Sequence, residues 1–168
     1  MRLAAVPPPI AFRPVTAADR DFLLRVYAST RAEELAVVPW SPAQKDAFLR
    51  MQFEAQDRDY RSKYPSEDFQ LILADSTPIG RLYLHRAADE LNLIDIAFLP
   101  EHCGRGLGTA LLRELMAQAQ STRRPIRLYV EHFNPARRLY QRLGFTDLEE
   151  HGPYWRMEWI PPAATTAP

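Results

Sequence analysis

The feature that most constrains the fold is a long apolar strand that runs into a glycine-rich turn and then into a helix. The strand is predicted over Leu91–Leu99, and the turn carries Gly104, Gly106 and Gly108. An almost wholly apolar strand of this length belongs in the middle of a sheet. Glycines just beyond its end allow a sharp turn and let the backbone approach a ligand without a Cβ in the way.

The turn has the chemistry of an anion site. The first N–H groups of the following helix, predicted to begin at Leu107, have no acceptor inside the helix and lie at its positive end. A pyrophosphate fits such a site, and Arg105 could add a charge-assisted hydrogen bond. Taken alone, three glycines before a helix could equally be only a tight turn.

The spacing of the glycines argues against two common nucleotide motifs. No Lys–Ser/Thr pair follows Gly108, so the turn is not a P-loop. The glycines are two residues apart, which does not match Gly-x-Gly-x-x-Gly, and Leu128 stands where a ribose-binding acid would be expected. A nucleotide phosphate therefore fits the turn, whereas a dinucleotide redox cofactor does not.

The rest of the chain alternates between strand and helix patterns. Thr16 with Asp19 resembles a capping box that opens a first helix, and Ser41–Pro42 supplies the N-cap and first residue of a second. The predicted order is β-α-α-β-β-β-α-β-α-β-β, with strands at 10–14, 68–74, 79–86, 91–99, 126–130, 146–150 and 154–159. This pattern predicts an α+β fold with one mixed, largely antiparallel sheet flanked by helices.

Composition limits the class of protein. The 168 residues correspond to one domain, predicted over 10–160, with Pro/Ala-rich tails at 1–9 and 161–168 that we expect to be disordered. Lys+Arg and Asp+Glu both number 21, so a basic nucleic-acid surface is not favoured. Cys103 is the single cysteine, and no zinc-type spacing occurs. No apolar run approaches the ~20 residues of a membrane span. We expect a cytoplasmic protein with no metal and no nucleic-acid or membrane partner.

A second motif follows about 25 residues after the glycine turn. It comprises Asn134–Pro135–Ala136, Leu139–Tyr140 and Gly144–Phe145. Together with the turn it resembles the GNAT superfamily of N-acetyltransferases. That family carries Gln/Arg-x-x-Gly-x-Gly/Ala at a strand–helix junction and, after a later strand, Asn-x-x-Ala-x-x-Leu-Tyr-x-x-x-Gly-Phe. Two positions depart from the pattern: Ala136 follows Asn134 by two residues rather than three, and Cys103 replaces the usual Gln or Arg.

The resemblance implies that the co-substrate is acetyl-CoA and that its acetyl group passes directly to a primary amine. The backbone near Ala97, Phe98 and Leu99 would hydrogen-bond the pantetheine arm like an added strand. Asn134 would also contact that arm, and Tyr140 would lie near the thioester sulfur, where its hydroxyl can protonate the leaving thiolate. The pyrophosphate would be held at the turn and helix start, by Cys103, Gly104, Arg105, Gly106, Leu107, Gly108 and Thr109.

No single general base stands out in the sequence. Asp95 lies inside an apolar strand, where a buried carboxylate is costly unless it is paired or hydrogen-bonded. It is therefore either the base or a hydrogen-bonded structural acid. Glu131, at the end of the next strand, is a second candidate. Tyr129 occupies a strand position where some relatives carry the base carboxylate. A covalent role for Cys103 is not favoured, because no Cys–His–acid arrangement supports it.

The acceptor side is the least readable part of the sequence. In this family the first two helices and their linker shape the acceptor pocket, which makes Trp40, Gln44 and Gln52 the candidate substrate residues. Trp40 is either a pocket wall or a buried anchor. The second helix also carries two stripes that we expect to pack, although the second could instead line the acceptor cleft or a subunit contact: Phe48, Met51 and Ala55, and Phe53, Tyr60 and Tyr64.

Two functions remain open at this point. The first is an N-acetyltransferase that acts on a small-molecule, peptide or protein amine. The alternative is a catalytically weak acyl-CoA-binding sensor or regulatory module. The sequence also leaves open whether the protein is a homodimer.

Overall fold

The computed structural model describes residues 9–64 and 68–163. The strands are β1 Ile10–Pro14, β2 Asp68–Ala74, β3 Thr77–Arg86, β4 Leu91–Phe98, β5 Ile126–Glu131, β6 Thr146–His151 and β7 Tyr154–Trp159. The α-helices are α1 Arg20–Thr30, α2 Ala32–Ala36, α3 Pro42–Lys63, α4 Leu107–Thr122 and α5 Ala136–Arg142. Short 3₁₀ turns cover Ala17–Asp19 and Pro100–His102.

The strands form one sheet in the order β1-β2-β3-β4-β5-β7-β6, which places β4 fourth of seven. Pairs β1–β2, β5–β7 and β6–β7 are antiparallel, and β4–β5 is parallel. The predicted fold class, a mixed and largely antiparallel sheet flanked by helices, is confirmed. The parallel register joins three residue pairs, from Leu91–Ile126 to Leu93–Leu128, and includes none of the residues from Asp95 to Phe98.

The chain divides into two compact units. The first comprises the residues up to Tyr83 together with Asp95–Arg105, and the second comprises Leu84–Ile94 and the residues from Gly106 onward. Strands β3 and β4 each contribute residues to both units. The boundaries 10–160 for a single domain stay a prediction, and the predicted tails fall mostly outside the described residues.

In the first unit, the helices bury the faces that carry their larger aromatic side chains. Helix α1 buries Leu23, Val26 and Tyr27, and the Tyr27 ring centroid lies 5.9 Å from that of Phe53 on α3. Met51 of the other α3 stripe is 57% exposed, and Ala55 is exposed too. The prediction that both α3 stripes pack is therefore wrong for these two residues, because a helix on a sheet buries only one face.

Two local details of the first unit differ from the predicted elements. Helix α2 occupies the predicted linker and buries Leu35. At five residues it is too short to show a helical period in the sequence. The predicted β2–β3 hairpin is present, but its turn consists of Asp75 and Ser76, with φ of 47° and 66°, so β3 begins at Thr77. Two positive φ values are typical of the type I′ turns that match strand twist.

In the second unit, the predicted core faces are buried. Helix α4 buries its apolar stripe of Leu107, Leu111, Leu112, Leu115 and Ala119. Strand β5 buries Ile126, Leu128 and Val130 on one face, while Arg127 on the other face pairs with Glu90 and Glu158. Across the described ranges 9–64 and 68–163, no helix combines the length and the hydropathy that a membrane span requires.

The start of the first helical region is held by one buried carboxylate. Asp19 accepts hydrogen bonds from the Arg13 guanidinium at 2.7 and 2.8 Å and from the Thr16 backbone N–H at 2.8 Å. The predicted capping box is present. The hydrogen bonds from Arg13, with those from Thr16, hold the pKa of Asp19 well below its ordinary value despite the opposing effect of burial.

The depressed pKa of Asp19 predicts a pH-dependent contribution to stability. Its carboxylate stabilises the fold above its unfolded pKa of about 3.9 and loses that contribution as the pH falls through the folded value. We expect Asp19→Asn to lower the unfolding free energy by about 1–3 kcal/mol at pH 7 and by less at pH 3. Urea denaturation at both pH values measures this, with exposed Asp21→Asn as the control. An equal loss at both pH values would contradict the assignment.

Candidate active site

The C-terminal part of β4 carries the backbone groups that the resemblance assigns to the pantetheine arm. The Leu99 N–H donates to the Ile79 carbonyl oxygen of β3 at 2.9 Å. Successive residues of a strand direct their N–H groups to alternate edges, so the Phe98 N–H is directed to the edge of β4 away from β3. The contact of this backbone with the pantetheine arm stays a prediction.

Strand β3 approaches this segment through a glycine. A Cβ on Gly80 would lie 2.4 Å from the Ala97 carbonyl oxygen and 3.1 Å from the Phe98 Cα. Any side chain at position 80 would therefore push β3 and β4 apart. Sequence analysis missed this residue, although an isolated glycine inside an apolar strand is the usual signal of close backbone approach.

Asp95, predicted as either a base or a structural acid, is held in an ion pair. Its Oδ2 accepts hydrogen bonds from Arg81 Nη2 at 2.8 Å and from the Tyr60 hydroxyl at 3.2 Å. The same Arg81 nitrogen donates to Gln56 Oε1 at 2.9 Å. The side chains of Arg81 and Asp95 are only 3% and 14% exposed. This arrangement favours the structural alternative, while a catalytic role for Asp95 stays a prediction.

The electrostatics of this cluster follow from its burial. Burial, the largest single effect, lowers the pKa of Arg81, but Asp95, Tyr83 and Tyr60 together outweigh burial and raise that pKa above its ordinary value. Burial also raises the pKa of Tyr83 to about 12. Arg81 is therefore charged and Tyr83 neutral at physiological pH. The sequence signal that could have revealed the pair is an arginine inside the apolar run of β3, since buried arginines need a partner.

The glycine turn is formed by left-handed backbone. Gly104 and Gly106 have φ of 69° and 78°, and a Cβ on either would meet nothing within 4 Å. Glycine is thus favoured here by conformation and not by crowding. Gly106 is the N-cap of α4, and the first helical hydrogen bond runs from the Ala110 N–H to the Gly106 carbonyl. The N–H groups of residues 107–109 have no acceptor within α4, as an anion site requires.

Cys103, the departure from the family pattern, lies beside the end of β4. Its thiol is within 3.5 Å of the Leu99 carbonyl oxygen and 3.8 Å of that of Phe98, to which it can donate weakly. Partial burial and the nearby Glu101 raise the pKa of the thiol. A neutral thiol is a weak nucleophile. The Arg105 side chain in the same turn is exposed.

The second motif folds into one local element of the second unit. Asn134 Oδ1 accepts the Ala136 N–H at 2.9 Å and so caps the start of α5. Tyr140 on α5 is 6% exposed, with its ring centroid 5.6 Å from that of Phe145. The Phe145 N–H donates to the Tyr140 carbonyl at 3.0 Å across Gly144, whose φ is 97°. The motif therefore holds the backbone around Tyr140 and places its ring against that of Phe145.

The remaining candidate acid lies at the end of β5. Glu131 is half-buried and stands opposite Tyr154 of β7 in the antiparallel register. Tyr129, two residues earlier on the same face, is 46% exposed. In the described ranges, no three His, Cys, Asp or Glu side chains are grouped so as to hold a metal ion.

The three candidate acceptor residues have different surroundings. Trp40 is 41% exposed and packs edge-on against Phe48 with a centroid distance of 5.2 Å, so it is not a buried anchor. Gln44 completes a capping box with Ser41, its Oε1 accepting the Ser41 N–H at 2.9 Å. Gln52 is exposed. Their roles toward a substrate stay predictions.

Residues 30–145 match the family model described as Acetyltransferase (GNAT) family. The chain belongs to the GNAT acetyltransferase family. The resemblance inferred from the two motifs is thereby confirmed, and the predicted enzyme class, an acyltransferase, is that of the family.

Individual relatives of this GNAT chain agree with the assignment. Over 85 residues it is 31% identical to the [Ribosomal protein bS18]-alanine N-acetyltransferase of Haemophilus influenzae, an alignment that spans 50% of this chain and 58% of that relative. The crystal structure of PaiA N-acetyltransferase from Thermoplasma acidophilum in complex with coenzyme A is similar, with a TM-score of 0.66, 23% identity, and coverage of 90% of this chain and 99% of that one. The ribosomal-protein-S18-alanine N-acetyltransferase of Escherichia coli gives a TM-score of 0.59 at 18% identity, covering 95% and 99% of the two chains. The two structures show the fold.

The cap on α5 predicts a stability difference between two substitutions of Asn134. Asn134→Ala removes the oxygen that accepts the Ala136 N–H, and we expect it to lower the unfolding free energy by about 0.5–2 kcal/mol. Asn134→Asp keeps an acceptor oxygen at the helix start and should lose less. Chemical denaturation of both variants measures the difference. Equal destabilisation by Ala and Asp would show that the hydrogen bond does not hold α5.

Proposed function

We propose that this protein transfers an acetyl group from acetyl-CoA directly to a primary amine. The observation that carries the proposal is the uncapped start of α4 directly after the left-handed Gly104 and Gly106, in a chain of the GNAT family. Free N–H groups at the positive end of a sixteen-residue helix form a site for a pyrophosphate.

Acetyl-CoA fits the groups that the chain offers. The amides of residues 104–109, with Cys103 and Arg105 beside them, would hold the pyrophosphate, and the edge of β4 at Ala97, Phe98 and Leu99 would hydrogen-bond the pantetheine arm. A relative of the same fold was solved with coenzyme A. Because the Asn134 carboxamide oxygen caps α5, its contact with the pantetheine arm would be made through the amide nitrogen or through the position of α5 itself.

The chain would accelerate the reaction first by holding thioester and amine together, an effect that can remove several kcal/mol of barrier. The carbonyl oxygen gains negative charge as the amine attacks. The Phe98 N–H, fixed in the sheet, would donate to that oxygen in the way of an oxyanion hole. The C–S bond then breaks, and the electron pair stays on sulfur.

Tyr140 would supply the proton to the departing thiolate. It is buried at the end of a helix whose start is capped by Asn134 and whose last turn is fixed by Phe145. A hydroxyl held in one place is what a general acid requires. The base that takes the amine proton, directly or through water, is assigned to Glu131 in preference to Asp95. Asp95 Oδ2 already accepts hydrogen bonds from Arg81 and Tyr60.

The acceptor amine is the least defined part of the proposal. The Haemophilus influenzae relative is named for a ribosomal-protein alanine, so a peptide with an N-terminal alanine is the first acceptor to test. A small-molecule amine is the second. Trp40 and Gln52 are the residues whose exposure suits a contact with either. Location in the cytoplasm and assembly as a homodimer stay predictions.

The alternative, an acyl-CoA sensor with little turnover, is favoured by one observation. Cys103 provides a neutral thiol where the family usually has a longer polar or charged side chain. Turnover against a panel of amines separates the two functions, because a sensor would bind acetyl-CoA without forming an acetylated product.

The central role of Tyr140 predicts a specific kinetic change. We expect Tyr140→Phe to lower kcat by about 10²–10⁴-fold, the usual size of general acid catalysis, while the Kd for coenzyme A changes little. Tyr27→Phe, which removes the hydroxyl of another buried tyrosine, is the control and should leave kcat near the wild-type value. Product formation by mass spectrometry and titration calorimetry with coenzyme A give the two quantities. Unchanged turnover in Tyr140→Phe would remove Tyr140 as the acid.

A further inference from the structure

We propose that the buried Arg81–Asp95 pair, with Tyr60 of α3, is a positioning device that fixes the Phe98 N–H at the edge of β4. The inference deepens the proposed function, on which it rests. It gives Asp95 a role other than general base, and it assigns roles to Arg81 and Tyr60 for which the family motifs offer no counterpart.

Three successive residues of β3 hold the C-terminal part of β4. Ile79 accepts the Leu99 N–H through its carbonyl at 2.9 Å. Gly80 lets the strands approach so closely that a Cβ would be 2.4 Å from the Ala97 carbonyl oxygen. Arg81 binds the Asp95 carboxylate at 2.8 Å. These attachments bracket Phe98 on both sides along the strand.

A rigid attachment from β3 matters because the described β4–β5 register ends at Leu93. Residues 95–98 are therefore not held by the described β4–β5 pairing on the edge of β4 that faces away from β3. A donor that stabilises a developing charge is effective only when its position is fixed before the reaction. The Arg81–Asp95 pair supplies a fixed point three residues before Phe98.

The Arg81–Asp95 pair is better explained by a role in positioning Phe98 than by a contribution to folding stability. Arg81 is one of three charged residues buried in the described chain, with Asp19 and Glu158. A buried ion pair contributes little net stability compared with apolar side chains of similar size. The cluster is also incompletely satisfied, since Arg81 Nε and the Tyr83 hydroxyl are buried without a hydrogen-bond partner in the described residues. Buried polar groups without a partner cost stability, which again argues against a purely stabilising role for the cluster.

Helix α3 completes the device. Tyr60 donates to Asp95 at 3.2 Å, and Gln56, one turn earlier, accepts from Arg81 at 2.9 Å. The Tyr60 ring also packs edge-on against Tyr83, with centroids 6.1 Å apart. The face of α3 that carries Gln56 and Tyr60 is therefore tied to both β3 and β4. A displacement of α3 would reach Phe98 through Asp95.

The first test compares kinetic constants at saturating acetyl-CoA and amine. We expect Asp95→Asn and Arg81→Lys each to lower kcat by about 10–100-fold, because a displacement of about 1 Å has effects of that size. The KM for acetyl-CoA should change less than about threefold, and the pH–rate profile should keep its wild-type inflections. The kcat of the double variant should be no lower than that of the less active single variant, since both changes remove the same interaction. Tyr60→Phe should fall between these variants and wild type.

The matched control is Asp19→Asn, which breaks another arginine–aspartate pair of the same unit, the one between Arg13 and the buried Asp19. Its side chain is 8% exposed, and it lies on an element without contact to Asp95 among the described hydrogen bonds. It should lose stability and keep kcat. If Asp95→Asn behaves like this control, the pair is structural only. If Asp95→Asn abolishes turnover and its pH dependence while Arg81→Lys is unaffected, Asp95 is the base. Either result overturns the proposal.

A second measurement does not depend on catalysis. Amide hydrogen exchange of the protein without substrate should become at least about tenfold faster at Leu99, whose N–H donates to the Ile79 carbonyl, in Asp95→Asn than in Asp19→Asn. Unchanged exchange at this amide contradicts the positioning role even if the proposed acetyl transfer is correct. Faster exchange in a protein that shows no acetyl-CoA binding would retain the positioning role and reject the proposed function.

Discussion

Strand β4 has to be held in the centre of a sheet while only its first part is in register with β5. The parallel register covers Leu91 to Leu93 and no residue beyond. Residues 95–99 are fixed from β3, through the backbone of Ile79, the absent side chain of Gly80 and the charge of Arg81. The proposed cofactor chemistry depends on this division, because the Phe98 N–H is the proposed donor and lies beyond the described β4–β5 register.

The glycine turn connects β4 to a second group of backbone N–H donors, those at the start of α4. Beyond β4 the backbone passes through two left-handed glycines and enters α4 without a side-chain cap. In the proposed site, one strand and one helix, consecutive in sequence, would offer backbone donors of two kinds: strand amides for an extended amide-containing arm and helix amides for an anion. Neither kind of donor would need a particular side chain, so Cys103 would be compatible with cofactor binding.

The sequence predicts the elements well because their signals are local. The alternation of Ile126, Leu128 and Val130, the α4 stripe and the Ser41–Pro42 cap each specify an element within a few residues, and all are present in the structure. The Asn134–Phe145 motif also folds locally, through the Asn134 cap and the Gly144 turn. The glycine turn and the Asn134–Phe145 motif, in this order, were sufficient to predict the family.

The interactions that the sequence did not reveal are those between distant residues. Asp95 could be identified as unusual, but its partners Arg81 and Tyr60 lie 14 and 35 positions away on other elements. Gly80 carried the usual signal of a close backbone approach, but the sequence did not reveal which strand approaches it. Met51 looked like a core residue because a helical period indicates a face but not which of two faces meets the sheet. Two local features were also not predicted. Helix α2 has too few residues to show a helical period in the sequence, and the Gln44 side chain accepts the Ser41 N–H at the start of α3.

An NMR titration of the ¹⁵N-labelled protein with acetyl-CoA tests the proposed site most directly. We expect the amide resonance of Phe98 and those of residues 107–109 to shift together with one Kd, because one ligand would occupy both the edge of β4 and the start of α4. The amides of β1, from Ile10 to Arg13, should not move. Saturable shifts at α4 without any change at Phe98, or no shifts at millimolar acetyl-CoA, would contradict the proposed site.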